Sequence, residues 1–114
     1  MSDCIFCKII KGDIPSQVVY EDDSVFAFRD ISPQAPVHIL VVPKEHIVSV
    51  AELDAGNSHL AAKCLEAAAR IAESEGLGGG FRVISNTGRD AGQTVFHLHF
   101  HLLGGRPLGA KLVG

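Results

Sequence analysis

The stretch His97-Leu98-His99-Phe100-His101-Leu102-Leu103 holds three of the chain's six histidines, and the fold turns on how it is read. In a strand, side chains alternate faces. Positions 97, 99 and 101 would then share one face, and Phe96, Leu98, Phe100 and Leu102 the other. In a helix, 97 and 101 would pair while His99 pointed elsewhere. The alternation runs unbroken from Val95, and Thr94, Val95 and the phenylalanines suit a pleated surface. Gly92 bounds the run on one side and Gly104-Gly105 on the other. The segment is therefore expected to be a strand beginning near Val95, with an apolar core side and an imidazole working side.

Upstream of the row, Phe81-Arg82-Val83-Ile84-Ser85 reads as a strand, and Asn86 to Gly92 as a polar, glycine-bearing loop. From Val50 to about Glu75 the pattern is helical, with Asn57 or Ser58 as cap of the main piece. Leu60, Ala61, Cys64, Leu65, Ala68 and Ile71 make an apolar stripe at helical spacing. Val37 to Val42 is apolar except for His38, which suggests a central strand ended by Pro43. Lys44-Glu45-His46 follows as a loop. Ser32-Pro33-Gln34-Ala35-Pro36 is a rigid connection. Residues 18–21 and 25–29 form a hairpin across Asp22-Asp23, with Asp30 at its exit. Asp3 is placed to cap a short helix from Cys4 to about Lys11, ended by Gly12. Five strands and two helices suggest an α+β fold: a five-stranded antiparallel sheet with both helices on one side, residues 1–114 forming a single domain.

Ten Lys and Arg stand against 13 Asp and Glu, a net charge of −3, which gives no electrostatic case for binding nucleic acid. No apolar run reaches membrane-spanning length, and no basic-then-apolar leader opens the chain, so a soluble, cytoplasmic protein without a membrane partner is expected. Cys4, Cys7 and Cys64 are an odd set, better suited to free thiols or metal ligands than to a disulfide framework.

Three groups of residues can carry chemistry. In the histidine row, imidazoles with a reference pKa of ~6.5 can serve as nucleophile, base or acid near neutrality. One could attack a centre while its neighbour serves the leaving group. Asn86, Gln93, Thr94 and the backbone around Gly92 offer neutral donors to an oxyanion or phosphoryl group. A zinc ion held by all three is disfavoured, because 97 and 101 would stand about 13 Å apart along a strand. Second, the Cys4-Ile5-Phe6-Cys7 pair is either half of a metal site, with His46 and a row histidine as further candidates, or simply two partly buried thiols. Third, Asp30 and His38 can be grouped with the apolar residues Ile5, Phe6, Ile9, Phe28 and Ile31. That set can receive a ribose and a base, or can be a helix packed on a hairpin beside a turn aspartate.

The pattern His-φ-His-φ-His-φ-φ, preceded by Gly92-Gln93-Thr94 and followed by Gly104-Gly105-Arg106-Pro107, resembles the histidine triad (HIT) superfamily. Asp30-Ile31-Ser32-Pro33-Gln34-Ala35-Pro36, Val42-Pro43-Lys44 and Ile5-Phe6-Cys7-Lys8-Ile9-Ile10 place the similarity in its Hint branch, over essentially the whole chain. The resemblance implies a homodimer with a ten-stranded sheet and hydrolysis of purine nucleoside phosphoramidates, adenosine monophosphate linked to an amine. It implies His99 as nucleophile, forming a nucleotidyl-histidine, with His101 at the phosphate or leaving group. His97 would orient His99, and His38 would support the row. Asn86, Gln93 and Thr94 would surround the phosphate, near Gly92, with Asp30 on the ribose. Ile5, Phe6, Ile9, Phe28 and Ile31 would line the base pocket. It also implies a structural zinc ion on Cys4, Cys7, His46 and His97, with no metal needed for hydrolysis. Many Hint proteins carry serine where Thr94 stands, which keeps the hydroxyl, and the tail from Leu108 varies among members and bears on the leaving group. The alternatives are a dinucleoside polyphosphate hydrolase or nucleotidyl transferase of the same superfamily, and a non-catalytic nucleotide-binding interaction module.

Overall fold

Two strands form the middle of the sheet because neither has a face that suits water. In the computed structural model, which describes residues 4–113, β2 (Val25–Arg29) and β3 (Val37–Pro43) are buried along nearly their whole length. They pair antiparallel, with Ala27 opposite Val41. β1 (Val18–Glu21) pairs with β2 through the expected hairpin. Asp22 shapes that turn: its carboxylate accepts the backbone N–H groups of Ser24 and Val25, each at 2.8 Å. β5 (Phe100–Gly104) lies along the other side of β3, and β4 (Phe81–Ile84) flanks β5. The order is β1-β2-β3-β5-β4, so β3 is central, as its composition suggested. Together with α1 (Ile5–Lys11) and α2 (Ser58–Ser74), this is an α+β fold with a five-stranded antiparallel sheet.

The helices cover opposite faces of the sheet, not one face as the sequence suggested. Val25, Ala27, Ile39 and Val41 pack against Leu60, Cys64, Ala67, Ala68, Ile71 and Ala72 of α2. The alternate residues Phe26, Phe28, Leu40 and Val42 pack against Phe6 and Ile9 of α1. Both faces of the central strands are apolar, so each needs its own cover. α2 begins later than Val50. Val50–Glu52 is a separate 3-10 turn, and the Asn57 side chain accepts the Asp54 N–H at 2.8 Å instead of capping the helix. Leu65 falls off the buried stripe and is 46% exposed, while Ala67 and Ala72 are buried. The cap of α1 is Cys4, whose sulfur accepts the Cys7 N–H at 3.4 Å. Asp3, expected there, lies outside the described residues. Gly12, at φ 86°, closes α1 with its N–H on the Ile9 carbonyl.

The histidine row departs most from expectation. β5 starts at Phe100, five residues later than Val95, and its ladder with β3 ends where Phe100 meets Val41. Residues 93–99 leave the sheet and run beside residues 43–49. Leu98 N–H bonds the Ile47 carbonyl at 2.6 Å, and His97 Nε2–H bonds the Pro43 carbonyl at 2.8 Å. A loop thus supplies the pairing that a strand would have given. Leu98, Phe100 and Leu102 still face the core, but Phe96, read as a core residue, is 53% exposed. Outside a ladder, alternation no longer dictates which side is covered. No helix among the described residues is long and apolar enough to cross a membrane.

Candidate active site

The three row histidines occupy three different environments, and the hydrogen bond each makes decides what its free nitrogen can do. His99 is 7% exposed, and its Nδ1–H donates to the His97 carbonyl at 2.7 Å. A neutral ring bonded in this way carries a lone pair on Nε2. Phe6 stands edge-on to it, with ring centroids 5.1 Å apart. The carbonyl of His99 accepts the Ser85 hydroxyl at 2.8 Å. The ring and the backbone of residue 99 are therefore both fixed.

His101 is wired differently. The Gln34 N–H donates to His38 Nδ1 at 3.0 Å, which leaves the His38 proton on Nε2. That proton is donated to His101 Nδ1 at 2.9 Å. His101 must then carry its own proton on Nε2, facing out of the pair. Asp30 lies 3.5 Å from His38 Nε2 and accepts the Ser32 N–H at 2.7 Å. Burial pushes the His101 pKa down to about 4, helped by His99 and His38 and opposed by Asp30. Burial also lowers the His38 pKa, against the same carboxylate. The pair is neutral at pH 7, so His101 offers a hydrogen bond without a positive charge. His99 and His101 ring centroids are 5.0 Å apart, so a ring whose Nε2 is an acceptor neighbours one whose Nε2 is a donor.

The loop residues divide into two kinds. Thr94 and Gly92 are exposed and Asn86 is half-buried. Gln93 is 5% exposed and spends its amide on backbone: Oε1 accepts the Gly88 N–H at 2.8 Å, and Nε2 donates to the Val48 and Val95 carbonyls at 2.8 and 3.1 Å. In the base-pocket group, Phe6, Ile9 and Phe28 are buried in one cluster, and Phe6 and Phe28 rings meet edge-to-face at 5.5 Å. Ile5 is 45% and Ile31 97% exposed, so neither belongs to that buried cluster. Three positioning contacts were not anticipated: the Gln34 N–H, the Pro43 carbonyl and the Ser85 hydroxyl. Only Ser85 had a visible signal, a hydroxyl next to Asn86 where a strand ends.

Cys4, Cys7, His46 and His97 bring four donor atoms within 4.8 Å of one another. His97 gives its Nε2–H to the Pro43 carbonyl, so the Nδ1 lone pair points at the thiols. Burial holds the His97 pKa down to about 4, with His46 and His99 adding to it and the Pro43 bond opposing. Cys4 Sγ is 3.3 Å and Cys7 Sγ 3.6 Å from His97 Nδ1, and Cys7 Sγ is 3.5 Å from His46 Nδ1. A tetrahedral ion with bonds of about 2.3 Å to sulfur and 2.0–2.1 Å to nitrogen would separate S from N by about 3.5 Å. The residues fit such an ion closely. A second cluster, Asp30, His38 and His101, is equally compact, yet it does not fit a metal. With Nδ1 taken by the Gln34 N–H, His38 presents a proton where a ligand needs a lone pair.

Comparison with known proteins places these features in context. The family model described as "HIT domain" matches residues 11–108. The chain is 53% identical over 109 residues to the purine nucleoside phosphoramidase of Escherichia coli (strain K12), covering 95% of this chain and 92% of that one. Its structure resembles a HIT family hydrolase from Clostridium thermocellum with a TM-score of 0.97 at 49% identity, covering 99% of both chains. It resembles a histidine triad protein from Clostridium difficile at 0.94 and 47%, covering 98% of both.

Proposed function

The chain belongs to the HIT domain family, and from that premise we propose that it hydrolyses purine nucleoside phosphoramidates through a nucleotide covalently held on His99. The observation that carries this reading is the 2.7 Å bond from His99 Nδ1–H to the His97 carbonyl, which leaves Nε2 as a buried, oriented lone pair. Nε2 attacks the phosphorus, and the P–N bond breaks. The amine leaves with its electron pair and takes a proton from solvent. The Nε2–H of His101 bonds the departing nitrogen or a phosphoryl oxygen as charge develops there. Water then attacks the phosphorus, its proton returns to solvent, and the P–Nε2 bond breaks to restore His99. Overall, one water converts the phosphoramidate to a nucleoside monophosphate and an amine.

In this reading Thr94, Asn86 and the backbone at Gly92 receive the phosphoryl oxygens. Asp30 takes the ribose hydroxyls, and the base lies against Phe6, Ile9 and Phe28 with Ile5 and Ile31 at the rim. Zinc on Cys4, Cys7, His46 and His97 ties α1 to the segment carrying His99 and takes no part in hydrolysis. β4 is an edge of the sheet, and Phe81 on it is 45% exposed. Pairing of β4 with a second copy would satisfy that edge and give a homodimer with ten strands. The free thiols fit a reducing, cytoplasmic compartment.

The test is His99→Ala. It is expected to abolish turnover of an adenosine phosphoramidate while adenosine monophosphate still binds. Unchanged turnover would refute the reading. In the parent protein, faster cleavage of diadenosine polyphosphates than of phosphoramidates would reassign the leaving group.

A further inference from the structure

Gln93 is the most fully bonded side chain in the catalytic loop, and its partners belong to two different sites. Its oxygen holds the Gly88 N–H at 2.8 Å, while its own backbone N–H bonds the Gly88 carbonyl at 3.0 Å. Loop 86–92 is closed by these two bonds. One amide proton goes to the Val95 carbonyl at 3.1 Å, which sets the backbone around Thr94. The other crosses to the Val48 carbonyl at 2.8 Å. Val48 lies two residues from His46, in the segment that also gives the Pro43 carbonyl to His97 and the Ile47 carbonyl to Leu98. The side chain is 5% exposed. A carboxamide has two donor hydrogens and an acceptor oxygen. Here both hydrogens and the oxygen are spent on main chain, so no donor remains for a phosphate.

We propose that Gln93 is a positioning residue that locks the phosphate-facing loop to the segment carrying His46, so that one buried amide sets both the catalytic loop and the Cys/His cluster. The kinetic part of this rests on the phosphoramidase reading; the metal and exchange parts do not. Removing the amide frees Gly88, Val95 and Val48 together. Thr94 then loses its fixed position, and His46 loses the brace behind it. The Gln93 side chain makes no hydrogen bond to α1, β2 or Asp30, so with zinc bound the nucleoside side of the site keeps its own contacts.

The experiment compares Gln93→Met, Gln93→Glu and Thr94→Val, each purified with zinc and stripped by a chelator of known affinity. Gln93→Met is expected to lower kcat about tenfold to a hundredfold with KM little changed, the scale of leaving buried polar groups unpaired. It is also expected to release zinc at a lower chelator concentration and to lose exchange protection at the Gly88 amide. Gln93→Glu keeps the acceptor for Gly88 and loses both donors. It should retain Gly88 protection yet bind zinc more weakly, and it serves if Gln93→Met does not fold. Thr94→Val should lower kcat with zinc affinity unchanged. A fall in kcat for both Gln93 variants with zinc affinity and Gly88 protection as in the parent would overturn the proposal and make Gln93 a direct phosphate contact. Parent-like values for all three measurements would overturn it too. If the parent protein cleaves no phosphoramidate, the zinc and exchange measurements still decide the brace.

Discussion

Replacing His38 with leucine should cost activity through His101, a residue the substitution does not touch. His38 is 5% exposed, and leucine fills a similar volume, so packing survives. Two hydrogen bonds are lost. The Gln34 N–H loses its acceptor, but Gln34 is exposed and water can replace it. His101 Nδ1 loses its 2.9 Å donor in a half-buried position that water reaches less easily. The ring regains a partner by moving its proton from Nε2 to Nδ1, toward the Asp30 carboxylate that His38 no longer engages, which turns a lone pair toward the substrate where the proposed mechanism needs a donor. Keeping the working tautomer then costs the lost bond, about 1–3 kcal/mol for a buried acceptor left unpaired. That energy corresponds to a kcat roughly 5- to 150-fold lower. KM should change little, since Asp30 keeps its bond from the Ser32 N–H. The assay is steady-state cleavage of an adenosine phosphoramidate at pH 7, with 15N resonances reporting the His101 tautomer. A kcat within twofold of the parent, or a His101 that keeps its proton on Nε2, would refute the reasoning.

Other perturbations separate the remaining roles. If Asp30 takes the ribose as proposed, Asp30→Asn should raise KM about tenfold and leave kcat within a fewfold, because such a contact to a charged acceptor is worth on the order of 1–2 kcal/mol; inhibition by adenosine monophosphate measures the same loss. The depressed pKa of His101, about 4 in the folded protein, makes stability depend on acid. Below the unfolded value of ~6.5 the unfolded chain binds the proton first. The contribution is therefore fully present above pH 6.5 and lost as pH falls toward 4. The unfolding free energy from urea titrations should fall less across that window in His101→Gln than in the parent, by on the order of 1 kcal/mol once partial solvent access to the ring is allowed for. Stripping metal, or Cys7→Ser, should lower the melting temperature by roughly 10 °C, since an ion bound only by the folded chain stabilises it by mass action; equal melting curves with and without metal would count against the zinc reading.

The parts of this fold that are legible in sequence are those where the local pattern and the tertiary partner agree. The Asp22 hairpin and β3 are of this kind, because a turn carboxylate and a run that is apolar except for His38 leave little choice. The helix placement was not legible in the same way. Residues 25–28 of β2 and 39–42 of β3 are apolar on both faces, and a sheet with two apolar faces demands two covers, a demand that the short α1 pattern does not announce. The histidine row was half legible. Alternation identified extended backbone and the core residues Leu98, Phe100 and Leu102, yet it could not say whether a strand or a loop pairs with it. The partner is the segment from Pro43 to Ser49, fifty residues away, and that pairing exposes Phe96 and turns His97 toward the thiols. Residue types suggested the site members, but their division of labour came from main-chain groups with no sequence signature, namely the Gln34 N–H and the carbonyls of His97 and Pro43.

The most direct test of the account is to quench the protein during turnover of an adenosine phosphoramidate and sequence its peptides by mass spectrometry. The expected result is one adenylyl group on His99, formed and lost at rates that account for kcat, and absent from His99→Ala. Full turnover with no adduct at any time, or an adduct on His97 or His101 instead, would contradict it.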